Sequence, residues 1–455
     1  MNAEAASMPL QWQVVDWDQL DTNQRQAVLQ RPSSSSDERL RQSVGEIIQQ
    51  VREQGDSALL ELTQRLDGCE IDALQESTDE LSPELLQSLN PVLDALEQAA
   101  ARIRRFHAAG MPSHYQVETA PGVQCSAYYR PLQRVGLYIP AGSAPLISTL
   151  AMLAVPAQLA QCEEIILCSP AQSDGRCAPI IRAAAQRLGI QQLYRCGGAQ
   201  AIAAMAYGSE TIPRCDKIFG PGNAWVTEAK RQVASDPDGT AIDMPAGPSE
   251  VMVIADANAD ANKVALDLLS QAEHGPDSQV IFVSTSARQI DAVAQALQRW
   301  LSALPRADTA LQALSQSRAI AVSNMEHALD VANAYASEHL ILQVEQAERW
   351  VPHIRHAGSV FVGAFTPESL GDYCSGTNHV LPTGGWARSH SGLSVQDFMK
   401  RITVQQASAA GLAVLGPIAE TLAACEGLDA HRLAVSYRLG KAEIPGDAVE
   451  SSATS

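Results

Sequence analysis

VGLYI (135–139), the turn-rich PAGSAP (140–145), LISTLAMLAVPAQLA (146–160) and EIILC (164–168) follow one another without interruption. The first and last read as short buried strands and the long apolar segment between them as a helix, so this stretch reads as strand, loop, helix, strand. The cycle repeats downstream. QLYRC (192–196) leads through Gly197-Gly198 into AQAIAAMAY (199–207), and DKIF (216–219) leads through Gly220-Pro221-Gly222-Asn223 into AWVTEAKRQVA (224–234). Such alternation is expected of a parallel sheet covered by helices.

After Pro245-Ala246-Gly247-Pro248 a second series begins. Strand EVMVIA, helix ANKVALDLLSQAE, strand QVIFVS, a long helix to about Leu304, strand AIAVS, helix EHALDVANAYA and strands HLILQV and SVFVG make a second α/β unit. On the N-terminal side, Leu40, Val44, Ile47, Ile48 and Val51 fall at helical spacing after the serine run Ser33–Ser36 and Asp37, so the first hundred residues read as helices joined by short loops. Beyond Leu381 the strand rhythm stops; Ser394–Arg401 and Ile418–Tyr437 are predicted helical, and the small polar residues from Glu443 to Ser455 are predicted disordered.

The chain is 455 residues long, against roughly 100–200 for a typical domain, which excludes a peptide hormone or a lone binding module. Its formal charge of −19 repels a phosphate backbone and excludes sequence-general nucleic-acid binding. The longest apolar stretch, Leu146–Ala160, is too short and too interrupted to cross a bilayer. The first residues lack the basic-then-apolar order of a secretory signal, so a cytoplasmic address is expected. Nine scattered cysteines with no CxxC fit neither a disulfide framework nor a zinc ribbon.

Neither G-x-G-x-x-G nor a P-loop occurs, so no ordinary nucleotide fingerprint is present. The two glycine junctions could expose free N–H groups at helix N-termini and bind anions, or could simply make tight turns. Gln271 and His274, three apart at a predicted helix end, could offer an amide oxygen and an imidazole to one metal ion, or His274 could complement the helix dipole. Of two Glu-His pairs, Glu326-His327 follows Ser323 in a capping-box pattern and is structural. Glu338-His339, where a helix hands over to a strand, could serve two proton transfers. The loop 371–379 adds Asp372 and His379, and Glu426 and His431 flank a break at Gly427.

Taken together, YIPAGSAPLISTLAMLAVPA, GGAQAIAA, KIFGPGNAWVTEAKRQV, IDMPAGPSEVMVIAD, LLSQAEHGPDSQVI, SEHLIL, AGSVFVG, ESLGDYCSGTNHVLPTGG and FMKRITVQ closely resemble histidinol dehydrogenase, over about Trp17 to Tyr437. The resemblance implies an α/β protein of two incomplete Rossmann-like parallel-sheet domains whose N- and C-terminal extensions join a homodimer. Its expected parts are an N-terminal extension (1–30), a discontinuous domain (31–130 plus 246–380), a second domain (131–245), a helical dimerisation extension (381–441) and a tail (442–455). It implies one Zn²⁺ per subunit and two molecules of NAD used in succession to oxidise L-histidinol through L-histidinaldehyde to L-histidine. By matching positions it implies Gln271, His274, Asp372 and His431 as zinc ligands, and Glu338 and His339 as general bases. Ser249, Glu426 and the ligand positions, with His339, would contact substrate, His379 less securely. Tyr138, Gln200 and Asn223 would contact NAD. His431 and Glu426 would come from the partner subunit. The nearest alternative is a paralogue acting on another polar amino alcohol; a catalytically silent scaffold would need a lost base or ligand, and none is lost.

Overall fold

In the computed structural model, residues 12–32, 38–78, 81–141, 145–244 and 247–443 are described. The serine run Ser33–Ser36, the middle of the loop 140–145, the Pro245-Ala246 turn and nearly all of the predicted C-terminal tail lie outside them. The described residues up to Gly110, together with Leu132–Phe398, form one compact unit; Met111–Pro131 and the described residues from Met399 onward form another.

The first unit contains two six-stranded sheets. One runs in the order Gln13–Asp16, Arg318–Ala321, Gln279–Ser284, Glu250–Ala255, His339–Gln343 and Ser359–Val362, all parallel. The other runs Gln75–Glu76, Gln192–Arg195, Glu164–Ser169, Arg134–Tyr138, Lys217–Phe219 and Ala241–Ile242, parallel except for the first strand. In each, the first strand of the series sits centrally, with the second and third on one side and the fourth and fifth on the other. The chain therefore reverses direction of winding beside Glu250–Ala255 and beside Arg134–Tyr138, which creates a switch point in each sheet. All six residues of Glu250–Ala255 and of Gln279–Ser284 are buried, as expected of strands with helices on both faces.

Most predicted elements form within a residue or two of their expected bounds, because long apolar runs leave little choice between core and water. Five differences stand out. The long helix after QVIFVS stops at Leu301, and a separate helix, Ala307–Ser315, follows. The first hundred residues contribute two edge strands, Gln13–Asp16 and Gln75–Glu76, each too short to carry a periodic signal. Val44, Ile47, Ile48 and Val51 on the helix Glu38–Gln54 share a core with Tyr138, Ile166 and Ile202, so this helix packs against the sheet of residues 134–242 and away from the one containing 250–255. The helix after AIAVS is capped by Asn324, whose side chain accepts from the His327 N–H at 2.8 Å, and not by Ser323.

The fifth difference lies in the second unit. Ser394–Arg401 was expected to be helical; only Val395–Phe398 winds, as a single 3₁₀ turn at the end of the first unit, and Met399–Ala407 is a strand. It pairs antiparallel with Val123–Pro131, which pairs in turn with Tyr115–Ala120. Tyr115–Ala120 and Met399–Ala407 are largely exposed, and the three strands alternate polar with apolar side chains only loosely, so neither sequence period is legible. Helices Ala409–Cys425 and Asp429–Arg438 pack on each other beyond it, as expected of the C-terminal segment. All nine cysteines are unpaired. Among the described residues, no helix is long and apolar enough to cross a membrane.

Candidate active site

A cluster of buried charge lies at the amino ends of the strands of the first sheet. His339 is the first residue of its strand, pairing with Val251 and Ser359 on its neighbours, and Glu338 immediately precedes it. Both are buried, at 4% and 6% exposure, so neither charge can be left without a partner. The main chain of Glu250 serves both: its N–H donates to Glu338 Oε2 at 2.9 Å, and its carbonyl lies 3.1 Å from His339 Nδ1. That carbonyl can only accept, so Nδ1 carries a proton and Nε2 is the nitrogen turned toward the site.

Around His339 stand three carboxylates. Asp372 Oδ1 is 3.4 Å from Nε2, Glu338 Oε2 is 3.7 Å from Nδ1, and Glu368 Oε1 is 3.9 Å from Nδ1. None of these is a hydrogen bond, and Nε2 has no hydrogen-bond partner. Burial alone would keep His339 neutral, but Glu368, Glu338 and Asp372 together lift its pKa well above the usual range. Burial pushes the Glu338 carboxyl up to about 7, against the opposing pull of His339 and of the Glu250 N–H. Asp372 is held below the ordinary carboxylate range: burial works against it, and His339, His379 and His274 outweigh burial.

Glu368 is a site residue that the sequence reading missed. It is 1% exposed, neither oxygen has a hydrogen-bond partner, and burial raises its pKa far above the ordinary value. His339, Glu368 and Asp372 each present a ligand-type atom within 4.8 Å of the others. The signal available was spacing, since Glu368 and Asp372 are four apart and share one face of the short helix Glu368–Tyr373.

Gln271 and His274 lie where the helix Ala261–Ala272 ends. The carboxamide of Gln271 is buried and its Oε1 has no hydrogen-bond partner. His274 is exposed, and its Nδ1 lies 2.9 Å from the Ser270 carbonyl, which fixes Nδ1–H as the donor and leaves Nε2 free to ligate. His379 bridges two parts of the unit, with Nδ1 2.8 Å from the Asp372 carbonyl and Nε2 3.0 Å from the Thr149 hydroxyl. Ser249 is half-buried next to Glu250. Glu426 and His431 belong to the second unit, where both are exposed.

Tyr138, Gln200 and Asn223 cluster at the carboxyl ends of the other sheet. Tyr138 ends its strand, and Gln200 is the third residue of the helix Gly198–Tyr207. Gln200 is 1% exposed and its Nε2 has no partner. Asn223 is exposed and caps the helix Ala224–Ser235, accepting from the N–H groups of Trp225 and Val226, each at 3.1 Å. The Gly198 N–H donates to the Tyr138 hydroxyl at 3.1 Å. The glycine junctions therefore leave fewer free N–H groups than the sequence suggested, because side chains of this chain already take several of them. Gly220 adopts a left-handed φ of +123°, and a Cβ there would lie 2.2 Å from the Tyr138 carbonyl oxygen, so only glycine fits. A second overlooked pair holds this loop. Lys230 donates to the Gly220 carbonyl at 2.8 Å and pairs with buried Asp243, which accepts from the N–H groups of Gly220 and Met244, both at 2.8 Å.

The histidinol dehydrogenase family profile matches residues 29–439. Histidinol dehydrogenase from Xylella fastidiosa is 53% identical over 94% of this chain and 99% of its own length, and the protein of that name from Photobacterium profundum is 49% identical over 94% and 96%. The crystal structure of histidinol dehydrogenase from Elizabethkingia anophelis superposes with a TM-score of 0.88 at 42% identity, covering 94% of this chain and 98% of that one. With matches of this extent, the chain belongs to the histidinol dehydrogenase family of oxidoreductases.

Proposed function

We propose that this enzyme oxidises L-histidinol through L-histidinaldehyde to L-histidine, with NAD reduced twice, at a zinc site completed by a second copy of the chain. The observation that carries this reading is the buried Glu338–His339 couple beside Asp372, with the unpartnered acceptor Gln271 Oε1 in the same unit. One anionic carboxylate, one amide oxygen and imidazole nitrogens form a donor set that suits Zn²⁺, so Gln271, His274 and Asp372 would hold it, with His431 from the second copy. Bound there, zinc would orient the amine and imidazole of the substrate and polarise its reacting oxygen. NAD, accepting hydride in each half-reaction, would lie against Tyr138, Gln200 and Asn223; the partnerless Nε2 of Gln200 supports that placement.

The work of the chain is proton transfer. His339, with Nδ1 anchored on the Glu250 carbonyl, is the base for the alcohol proton through Nε2. Glu368, Glu338 and Asp372 together favour a proton on His339; a metal ion held by Asp372 would offset part of that pull with its own charge. Glu338, with Oε2 fixed by the Glu250 N–H and a pKa of about 7, is poised to take a proton from the water that adds to the aldehyde. Ser249, beside Glu250, and Glu426 of the second copy would complete the substrate contacts, and His379, tied to Asp372 and Thr149, would steady the helix end that carries Asp372.

Support for a second copy comes from the second unit considered alone. It exposes Val414, Ile418, Leu422, Leu433 and Tyr437 on its two helices and Leu428 between them, large apolar side chains of the kind that mark an interaction surface. The deciding experiment is stoichiometry with metal analysis. Two NADH per histidinol, activity lost on chelation and restored by Zn²⁺, are expected; one NADH with free aldehyde accumulating contradicts the reading. Turnover of amino alcohols lacking the imidazole should be far lower than that of histidinol.

A further inference from the structure

Both members of the Glu338–His339 couple hang on the main chain of one residue, Glu250, and the side chain of that residue is itself gripped from outside the sheet. Arg31, on the connection after the helix Thr22–Val28, forms a two-pronged ion pair with the Glu250 carboxylate: Nε meets Oε1, and Nη2 donates to Oε2 at 2.9 Å. The Gly384 N–H donates to Oε1 at 3.0 Å. The Glu250 side chain is 3% exposed and that of Arg31 25%, so the pair is largely screened from water.

Arg31 also reaches the end of the helix Met325–Tyr335, which leads into the other strand. Its Nη2 donates to the carbonyls of Tyr335 at 2.9 Å and Ala336 at 3.4 Å, the last residues before the turn into Glu338. The guanidinium lies 4.0 Å from the centre of the Tyr335 ring, and the Tyr335 hydroxyl donates to Gln279 Oε1 at 2.7 Å. Ala336 has a left-handed φ of 58°, an unfavourable conformation for a residue with a Cβ that needs such external support. One planar cation therefore ties the start of the strand Glu250–Ala255 to the turn that delivers Glu338 and His339. A lysine has the charge but not the fork, and cannot make both attachments in this geometry.

We propose that Arg31 is a positioning residue for proton transfer, acting through Glu250 to hold the Glu338 carboxylate and the His339 ring in register. The proposal rests on the reading that Glu338 and His339 are the bases, and the test separates the two. Arg31→Gln, Arg31→Lys, Glu250→Gln and the double variant Arg31→Gln/Glu250→Gln are compared as full-length enzymes for kcat, KM, zinc content and thermal midpoint, with Glu338→Gln as reference. Misplacing a base by about 1 Å costs up to ~100-fold. Arg31→Gln is expected to lower kcat by ~10- to 100-fold with KM for histidinol and zinc content little changed. Arg31→Lys should recover part of that loss, and the double variant should be no slower than the worse single variant. A folded Arg31→Gln enzyme with wild-type kcat, or losses that multiply in the double variant, would overturn the proposal. If Arg31→Gln does not fold, Arg31→Lys decides: near-native thermal midpoint with several-fold lower kcat supports it, and wild-type kcat refutes it. Full activity in Glu338→Gln would instead remove the reading beneath it.

Discussion

The two parallel sheets share one strand order yet carry their chemistry at opposite ends. In the sheet built on Arg134–Tyr138, the candidate cofactor residues Tyr138, Gln200 and Asn223 follow the carboxyl ends of the strands, where open α/β sheets ordinarily bind ligands. In the sheet built on Glu250–Ala255, the concentrated residues are at the amino ends: Ser249 and Glu250 before or at the start of one strand, Glu338 and His339 at the start of the next, and Gln271 where the intervening helix returns to that edge. The contents differ too. The candidate contacts of the first cluster are uncharged, with the Lys230–Asp243 pair holding the loop behind them, and the second packs three carboxylates around one imidazole. A shared topology thus says where a crevice can form, while the side chains placed at each edge decide what it does. The Thr149–His379 contact links the helix that follows the first central strand with the segment after the Asp372 helix.

The comparison breaks first at the metal. Replacing His274 with Asn removes an imidazole from the charged edge and is expected to cost zinc and at least ~10³-fold in kcat, since polarisation by the metal is worth several kcal/mol. The thermal midpoint should change little, because this edge is held by the Arg31–Glu250 pair and by strand pairing, not by the metal. Full zinc content in that variant would contradict the ligand assignment. Next is the shared site. Mixing His431→Ala chains with Glu338→Gln chains, neither of which should complete the oxidation to histidine at an appreciable rate alone, should restore about a quarter of wild-type histidine formation if the enzyme is a dimer, because half of randomly paired dimers would be mixed and each mixed dimer would have one intact site. No recovery would argue against a site shared between subunits.

Smaller effects sharpen the contrast between the edges. Gly220→Ala puts a methyl against the Tyr138 carbonyl in a left-handed conformation, costs about 1–3 kcal/mol, and should raise KM for NAD while sparing zinc content. An equal rise in KM for histidinol would mean that the two edges are not separate in function. The pH dependence of aldehyde oxidation follows from Glu338. A base must be ionised to act, and burial has raised its pKa to about 7, so the rate should climb through pH 7 and level off above it. The slope should disappear in Glu338→Gln.

How much of this the sequence shows differs between the two edges in the same way. The strands were legible because EVMVIA, QVIFVS and HLILQV are apolar runs with only one place to go, and Glu338, His339 and Asp372 because their blocks resemble a known family. Glu368 was not, since a lone glutamate in a loop-rich stretch looks like a solvated one until the fold buries it. Arg31 and Glu250 lie 219 residues apart, and nothing local predicts that they meet. The antiparallel strands of residues 115–120 and 399–407 escaped because exposed strands have little hydrophobic alternation to read, and the half-buried Val123–Pro131 between them alternates only loosely.

The central claim is that one buried couple performs two proton transfers in sequence, with Glu338 reserved for the second. It is tested most directly by counting NADH in a single turnover of zinc-loaded Glu338→Gln with limiting histidinol. One NADH per histidinol, with the aldehyde recovered by trapping, is predicted. Two NADH at the wild-type rate, or the same slowing of both hydride transfers, would contradict it.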